Sequence, residues 1–374
     1  MKIIFYGGSL NRSGGTERVS SLIASGLAKR GYQIQMISDQ AGDKPFFDLD
    51  SSISVTSLFQ TTGRNLIRTP LRIARLRRLL LKEKPDVLVS VESMLALFSV
   101  PATIGLPIRH ICWEHFHFNN DLGRKGRRVA RQLAARFCDD IVTLTDRDKL
   151  SWQQGVKLKA KIQSIPNPCP YPVQVAHSIP EDSRLVLAVG RLVPEKGHNL
   201  LLEAWKSVIL AEPTWRLRIV GSGTDEKYLK QLCSTFGLSN SVVFHPNTPD
   251  IEVHYKEAAI FCLSSKFEGF PMILLEAIAF GVPVVSFDCN NGPAEILEGT
   301  GAKLVTPGDV DALADALLAY MKNPQSRVAV SKAEKLRAEA FQLDKIVDQW
   351  VELLERPVKT AVTVVSFAIS DVKL

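Results

Sequence analysis

The chain has 374 residues, more than one hydrophobic core usually holds, and two domains of roughly 170–190 residues fit that length. Hydrophobic residues make up 45% and charged residues 23%, an ordinary globular balance, and the absence of any uninterrupted apolar run of ~18 residues argues against a spanning helix. The net charge of +7 is uneven: residues 1–170 carry 26 Lys+Arg against 14 Asp+Glu (+12), and the remainder carries 20 against 25 (−5), so the first half is expected to meet an anionic partner.

The first residues, MKIIFYGG, read as a strand entering a turn. They lack the long apolar core and cleavage site of a signal peptide, so a cytoplasmic protein is expected. The loop YGGSLNRSGGTERV follows, framed by Gly7, Gly8, Gly14 and Gly15, with a helix expected from about Thr16. QIQMIS is a second strand, ended by Asp39. A basic stretch then holds Arg64, Arg68, Arg72, Arg75, Arg77, Arg78, Lys82 and Lys84. DVLVS and RHICW are further strands, the latter running into WEHFHFN. A second basic stretch, with Arg124, Lys125, Arg127, Arg128, Arg131 and Arg136, precedes the strand DIVTL. Residues 165–183 contain five prolines and no periodicity, which predicts an interdomain linker between domains at 1–164 and 184–340. The strands LVLAVG, RLRIVG, VVFH, AIFCL and PVVSF repeat the pattern, and alternation with helices predicts α/β domains with parallel sheets. LDKIVDQWVELLER within 341–356 predicts a last helix returning toward the first domain, and 357–374 is a tail. The six cysteines form no C-x-x-C pair, so reduced thiols are expected rather than disulfides or a zinc site.

Three segments carry chemistry. Glycines such as Gly14 and Gly15 let backbone amides approach a ligand, and a helix start favours phosphate. The same loop also reads as a plain strand–helix turn, because its spacing is not G-x-G-x-x-G and Asp39 alone is a weak ribose partner. In VGRLVPEKGHNLLLEAW, Arg191 and Lys196 follow a strand, where open α/β sheets bind ligands, and two cations there suit a pyrophosphate. In SSKFEGFPMILLEAIAFGVPVVSFD, Glu268 and Glu276 have seven residues between them. Pro271 suits a helix start, and the amides near Met272 and Ile273 suit phosphate oxygens. Glu276 lies among apolar neighbours, where a carboxylate needs a ligand or partner.

The ordered set GGTERV, GRLVPEKG, EGFPMILLEA and GVPVV resembles the family 4 glycosyltransferases over roughly residues 1–356. EGFPMILLEA and SFDCNNGPAEIL resemble the bacterial branch that builds lipopolysaccharide, capsule or exopolysaccharide. The resemblance implies the GT-B fold: two Rossmann-like domains facing across a cleft, acceptor in the first and nucleotide sugar in the second. Gly14 and Gly15 would approach the donor phosphate or sugar, and His115 would stand beside the hexose. Arg191 and Lys196 would neutralise the diphosphate. Glu268 would contact the transferred sugar and Glu276 the ribose, with Phe270, Pro271, Met272 and Ile273 completing the donor site. The Phe270–Pro271 turn departs from the glycine of more familiar members. On the residues alone, His115 also reads as a core histidine, and His117 is its rival.

Retention by front-face attack of the acceptor hydroxyl is implied by the same resemblance. No cofactor or metal is expected: Asp48/Asp50, Asp146/Asp148 and Asp309/Asp311 spell D-x-D, but none closes a strand beside the glycine loop or the Arg191/Lys196 turn. Arg68, Arg72 and Arg75, with Arg127, Arg128 and Arg131, are expected to form a basic face toward an anionic membrane surface and a lipid-linked glycan acceptor. A solvated helix face is the plainer reading. Aromatic content of 7% and the lack of a nucleic-acid motif speak against DNA or RNA. A UDP-sugar 2-epimerase of the same fold and a non-catalytic sugar-nucleotide-binding protein are the competing functions.

Overall fold

The computed structural model describes residues 1–41, 44–60, 69–121, 123–174, 178–180 and 182–357. Arg64, Arg68 and nearly all of the tail lie outside them.

The first unit runs β1 (Lys2–Gly7), α1 (Gly15–Lys29), β2 (Gln33–Ser38), β3 (Ser54–Ser57), α2 (Thr69–Glu83), β4 (Val87–Val91), α3 (Ala96–Thr103), β5 (Arg109–Trp113), α4 (Lys125–Phe137), β6 (Asp140–Thr143), α5 (Asp146–Gly155) and β7 (Lys161–Ser164). Its strands are all parallel, in the order β3-β2-β1-β4-β5-β6-β7. The second unit runs β8 (Leu185–Val189), α6 (His198–Ala211), β9 (Arg216–Val220), α7 (Glu226–Thr235), β10 (Val242–His245), α8 (Ile251–Glu257), β11 (Ile260–Leu263), α9 (Met272–Phe280), β12 (Val284–Phe287), α10 (Pro293–Ile296), β13 (Lys303–Val305), α11 (Val310–Lys322), α12 (Pro324–Ala338) and α13 (Leu343–Glu355). Its parallel order is β10-β9-β8-β11-β12-β13. The central strands are apolar on both faces, as helix-covered parallel strands must be; every residue of β4, β5 and β11 is buried. In each sheet the order reverses once, between β1 and β4 and between β8 and β11. Those switch points open crevices at the carboxyl ends of the strands.

The units are joined twice. The linker returns through Cys169, whose amide donates to the Phe341 carbonyl, and Gln174, whose amide donates to Ala279. The last helix, α13, leaves the second unit and packs on α1 of the first. Trp350 is fully buried there, its ring 4.8 Å from Trp113 and 6.4 Å from Phe5. Arg109 of β5 donates to the Leu353 and Leu354 carbonyls at its end.

The expected basic face is corrected in part. Arg72 is buried against Asp39 at 2.8 Å, because on α2 it shares the inward i, i+4, i+8 face with Leu76 and Leu80. Arg75 is exposed at its residue but commits its guanidinium to the Leu58 carbonyl and the Phe59 ring. Arg127 and Arg131, one turn apart on α4, are both buried and paired with Glu92 at 2.7 Å and Glu114 at 3.0 Å. A buried guanidinium must be paired, and these carboxylates do it. Arg128 alone of that trio faces solvent, paired with Asp121. Among the described residues, the exposed cations of the two basic stretches include Arg78 and Lys82 of α2 with Arg124, Lys125, Arg128 and Arg136 at α4, and Leu71, Leu81 and Val129 of the same helices are exposed too. Asp39 is also accounted for: it takes the Tyr6 hydroxyl and pairs with Arg72. Among the described residues, no helix is long and apolar enough to cross a membrane, and all six cysteines are buried and unbridged.

Candidate active site

The second switch point is built from two turns laced together. After β8 the chain passes Gly190 and Arg191 into a single 3-10 turn, Pro194–Lys196, and then Gly197 starts α6. Gly197 has φ +62°, and a Cβ there would overlap the Ser264 carbonyl oxygen, so only glycine lets the two turns approach. The Lys266 amide donates to the Glu195 carbonyl and the Ser264 hydroxyl to the Lys196 carbonyl. This frame sets Lys196 Nζ 2.6 Å from Glu268 Oε1, with Arg191 exposed on the same turn.

Pro271 caps α9, and Leu274 is the first residue to bond back to it, so the Met272 and Ile273 amides belong to the open first turn. Every residue from Leu274 to Phe280 is buried, Glu276 included. Phe270 is buried against Phe341. Burial raises the carboxyl of Glu276, while the Arg18 guanidinium and the Tyr255 hydroxyl oppose that rise. Arg18 Nη1 reaches Oε1 at 3.0 Å from α1 of the other unit, and Tyr255 reaches Oε2 at 2.9 Å.

The first switch point supplies the facing wall. Gly14 caps α1, and the space where a Gly15 side chain would stand is open. His115 follows β5, is buried, and sets its ring 4.5 Å from that of Trp113 in a tilted contact; its Nε2 has no hydrogen-bond partner among the described residues. Burial lowers its pKa to about 3, so the ring is neutral at physiological pH. Glu114 fixes the backbone here by accepting the His115 and Phe116 amides, and Arg131 holds Glu114. His117, more exposed, turns its Nδ1 to the Asn119 amide. Glu92, at the end of β4, sits at φ +97°, a strained setting for a non-glycine residue, and Arg127 pairs with it.

The two walls meet. A Cβ on Gly269 would overlap the His115 carbonyl oxygen. A narrow crevice is lined by Glu114, His115, Phe116 and Asp148 from one unit and Gly269 and Asn291 from the other. Glu295 of α10 accepts the Asp146 and Arg147 amides at the N-terminus of α5, both at 2.8 Å, and Arg147 pairs with Asp288 at 3.1 Å. The geometry thus gathers Gly14, Gly15, His115, Lys196, Glu268, Met272, Ile273 and Glu276 about one cleft. Arg72, Arg75, Arg127 and Arg131 lie away from it or serve as internal braces. Arg18 and Glu295 bridge the two units at the cleft, and the sequence analysis named neither. The only signal for Arg18 was its place in GGTERV, directly after the glycines.

Residues 13–170 match the Glycosyltransferase Family 4 profile and residues 173–337 the Glycosyl transferases group 1 profile. An uncharacterized glycosyltransferase of Haemophilus influenzae is 35% identical over 356 residues, covering 94% of this chain and 99% of its own. The chain belongs to the family 4 glycosyltransferases. A Campylobacter jejuni enzyme is 28% identical, covering 95% of this chain and 98% of its own; its name is GalNAc-alpha-(1->4)-GalNAc-alpha-(1->3)-diNAcBac-PP-undecaprenol alpha-1,4-N-acetyl-D-galactosaminyltransferase. The structure of Anabaena HepE in complex with UDP superposes with a TM-score of 0.77 at 20% identity, covering 95% of this chain and 99% of that one. The fold of this glycosyltransferase is GT-B.

Proposed function

We propose that this glycosyltransferase moves a hexose or N-acetylhexosamine from a UDP-sugar to a lipid-linked glycan in bacterial surface-polysaccharide synthesis, with retention and without a metal. The observation that carries the reading is the Lys196–Glu268 pair at the second switch point, beside the open first turn of α9. Departure of the nucleoside diphosphate builds negative charge, and Lys196, Arg191 and the Met272 and Ile273 amides are preorganised to take it. Glu268 and neutral His115 flank the position of the sugar, and Glu276 that of the ribose. The acceptor hydroxyl attacks the anomeric carbon on the face the diphosphate leaves, and its proton passes to the departing phosphate oxygen. The UDP complex of HepE and the undecaprenol-linked name of the Campylobacter enzyme support the donor and acceptor classes.

The exposed cations of α2 and α4, interleaved with Leu71, Leu81 and Val129, suit docking of the first unit at the inner face of the cell membrane. The test is a screen of radiolabelled UDP-, GDP- and ADP-sugars against lipid-linked acceptors, with and without EDTA. Acceptor-dependent transfer from a UDP-sugar that survives EDTA supports the reading. Conversion of the UDP-sugar without any acceptor would mark an epimerase, and loss under EDTA restored by manganese would overturn the metal-free route.

A further inference from the structure

Arg18 lies in the first turn of α1 and crosses the cleft to the buried Glu276 carboxylate. Its guanidinium also sits 5.3 Å over the Tyr171 ring of the linker. Each Glu276 oxygen holds one donor, Arg18 on Oε1 and Tyr255 on Oε2, which leaves each with a further lone pair.

We propose that Arg18 is a positioning residue of the donor site: from the first unit it pairs with the Glu276 carboxylate of the second and aims it at the donor's ribose hydroxyls. This rests on the reading of Glu276 above. Among the described residues, the other groups facing Glu276 are Tyr255 from α8 and Cys169 and Tyr171 from the linker, with Glu252 of α8 beyond Tyr171. Burial pushes the Cys169 thiol up to about 12 and raises both tyrosines, so none of these three loses a proton near neutrality. Arg18 is therefore the cation that offsets the burial of Glu276. Without it the carboxyl rises further, and its acceptor capacity is lost as pH falls through the new pKa.

The experiment is calorimetric titration of the full chain with UDP and with 2′-deoxy-UDP, from mildly acidic to mildly alkaline buffer, on wild type, Arg18→Ala, Arg18→Lys and Glu276→Gln. Wild type should bind UDP with a weaker pH dependence than Arg18→Ala. Arg18→Ala should bind about ten- to a hundredfold more weakly at the acidic end and recover toward wild type as pH rises, and Arg18→Lys should restore most of the affinity. Wild-type affinity and pH profile in Arg18→Ala would overturn the proposal, as would tighter binding, which would make the pair a lock that the nucleotide displaces. A loss equal at every pH and not rescued by lysine would also overturn it, marking a purely architectural contact. If wild type and Glu276→Gln bind both nucleotides alike, the ribose reading of Glu276 fails instead.

Discussion

Lys196 and Glu268 touch at 2.6 Å, so each is the other's counter-charge as well as a residue of the proposed donor site. Lys196→Ala should lower turnover by about 10²–10³, the usual effect of removing one preorganised donor worth ~3–4 kcal/mol. In the proposed donor site it also leaves Glu268 facing the diphosphate without its cation. The double variant with Glu268→Gln should therefore lose less than the two single losses combined, and steady-state kinetics on all three proteins checks this. Additive losses would mean that the two side chains act apart. Asp148 offers a pH-dependent case. Burial and the nearby Glu114 charge push its carboxyl up to about 7, against accepted bonds such as that from the Phe118 amide. The folded protein thus holds this proton more tightly than the unfolded chain does, and stability from this group is lost as pH rises toward 7. Asp148→Asn should raise Tm above about pH 7 and leave it unchanged near pH 4; an equal shift at both would remove the ionisation as its cause.

At the scale of elements, α2 and α4 show how far a sequence pattern reaches. The alternation of long apolar strands with helices was legible, because central parallel strands are apolar on both faces. The edge strands β3, β7 and β13 were not: they are three or four residues long and half-buried or exposed at most positions. The ordered set around the glycine loop, Lys196, Glu268 and Glu276 was legible because each piece closes a strand or opens a helix. The direction of the arginines was not. Helical spacing puts Arg127 and Arg131 on one face without saying which way that face turns, and the carboxylates that bury them, Glu92 and Glu114, arrive from other strand ends. Two outcomes separate braces from surface. Arg131→Met should destabilise the fold by about 3–5 kcal/mol by stranding Glu114, measured by denaturant unfolding. Replacing Arg78, Lys82 and Lys125 together with Gln should leave Tm within a degree or two, yet weaken binding to anionic vesicles. Transfer to a lipid-linked acceptor should fall and transfer to a short soluble one should not. Unchanged vesicle binding in that variant would sink the membrane face.

Across the whole molecule the two units are tied across the cleft at separate points, Arg18 on Glu276 and Glu295 on the start of α5. Glu295 stabilises two open amides of a helix in the opposite unit, as an N-cap would from within. Glu295→Ala should shift the nucleotide-free protein toward an open form, seen as a larger radius of gyration in solution scattering, with a raised donor KM; an unchanged radius and KM would refute the latch. The crossing helix α13 has a different consequence. It fills the gap over β1 and β5 with Trp350, so the first unit's core includes residues encoded after the second unit ends. Recombination between relatives therefore cannot cut this chain once. A chimera that swaps donor specificity by replacing residues from the linker onward must keep residues 341–356 with the parent that supplies the first unit, and so needs two crossover points.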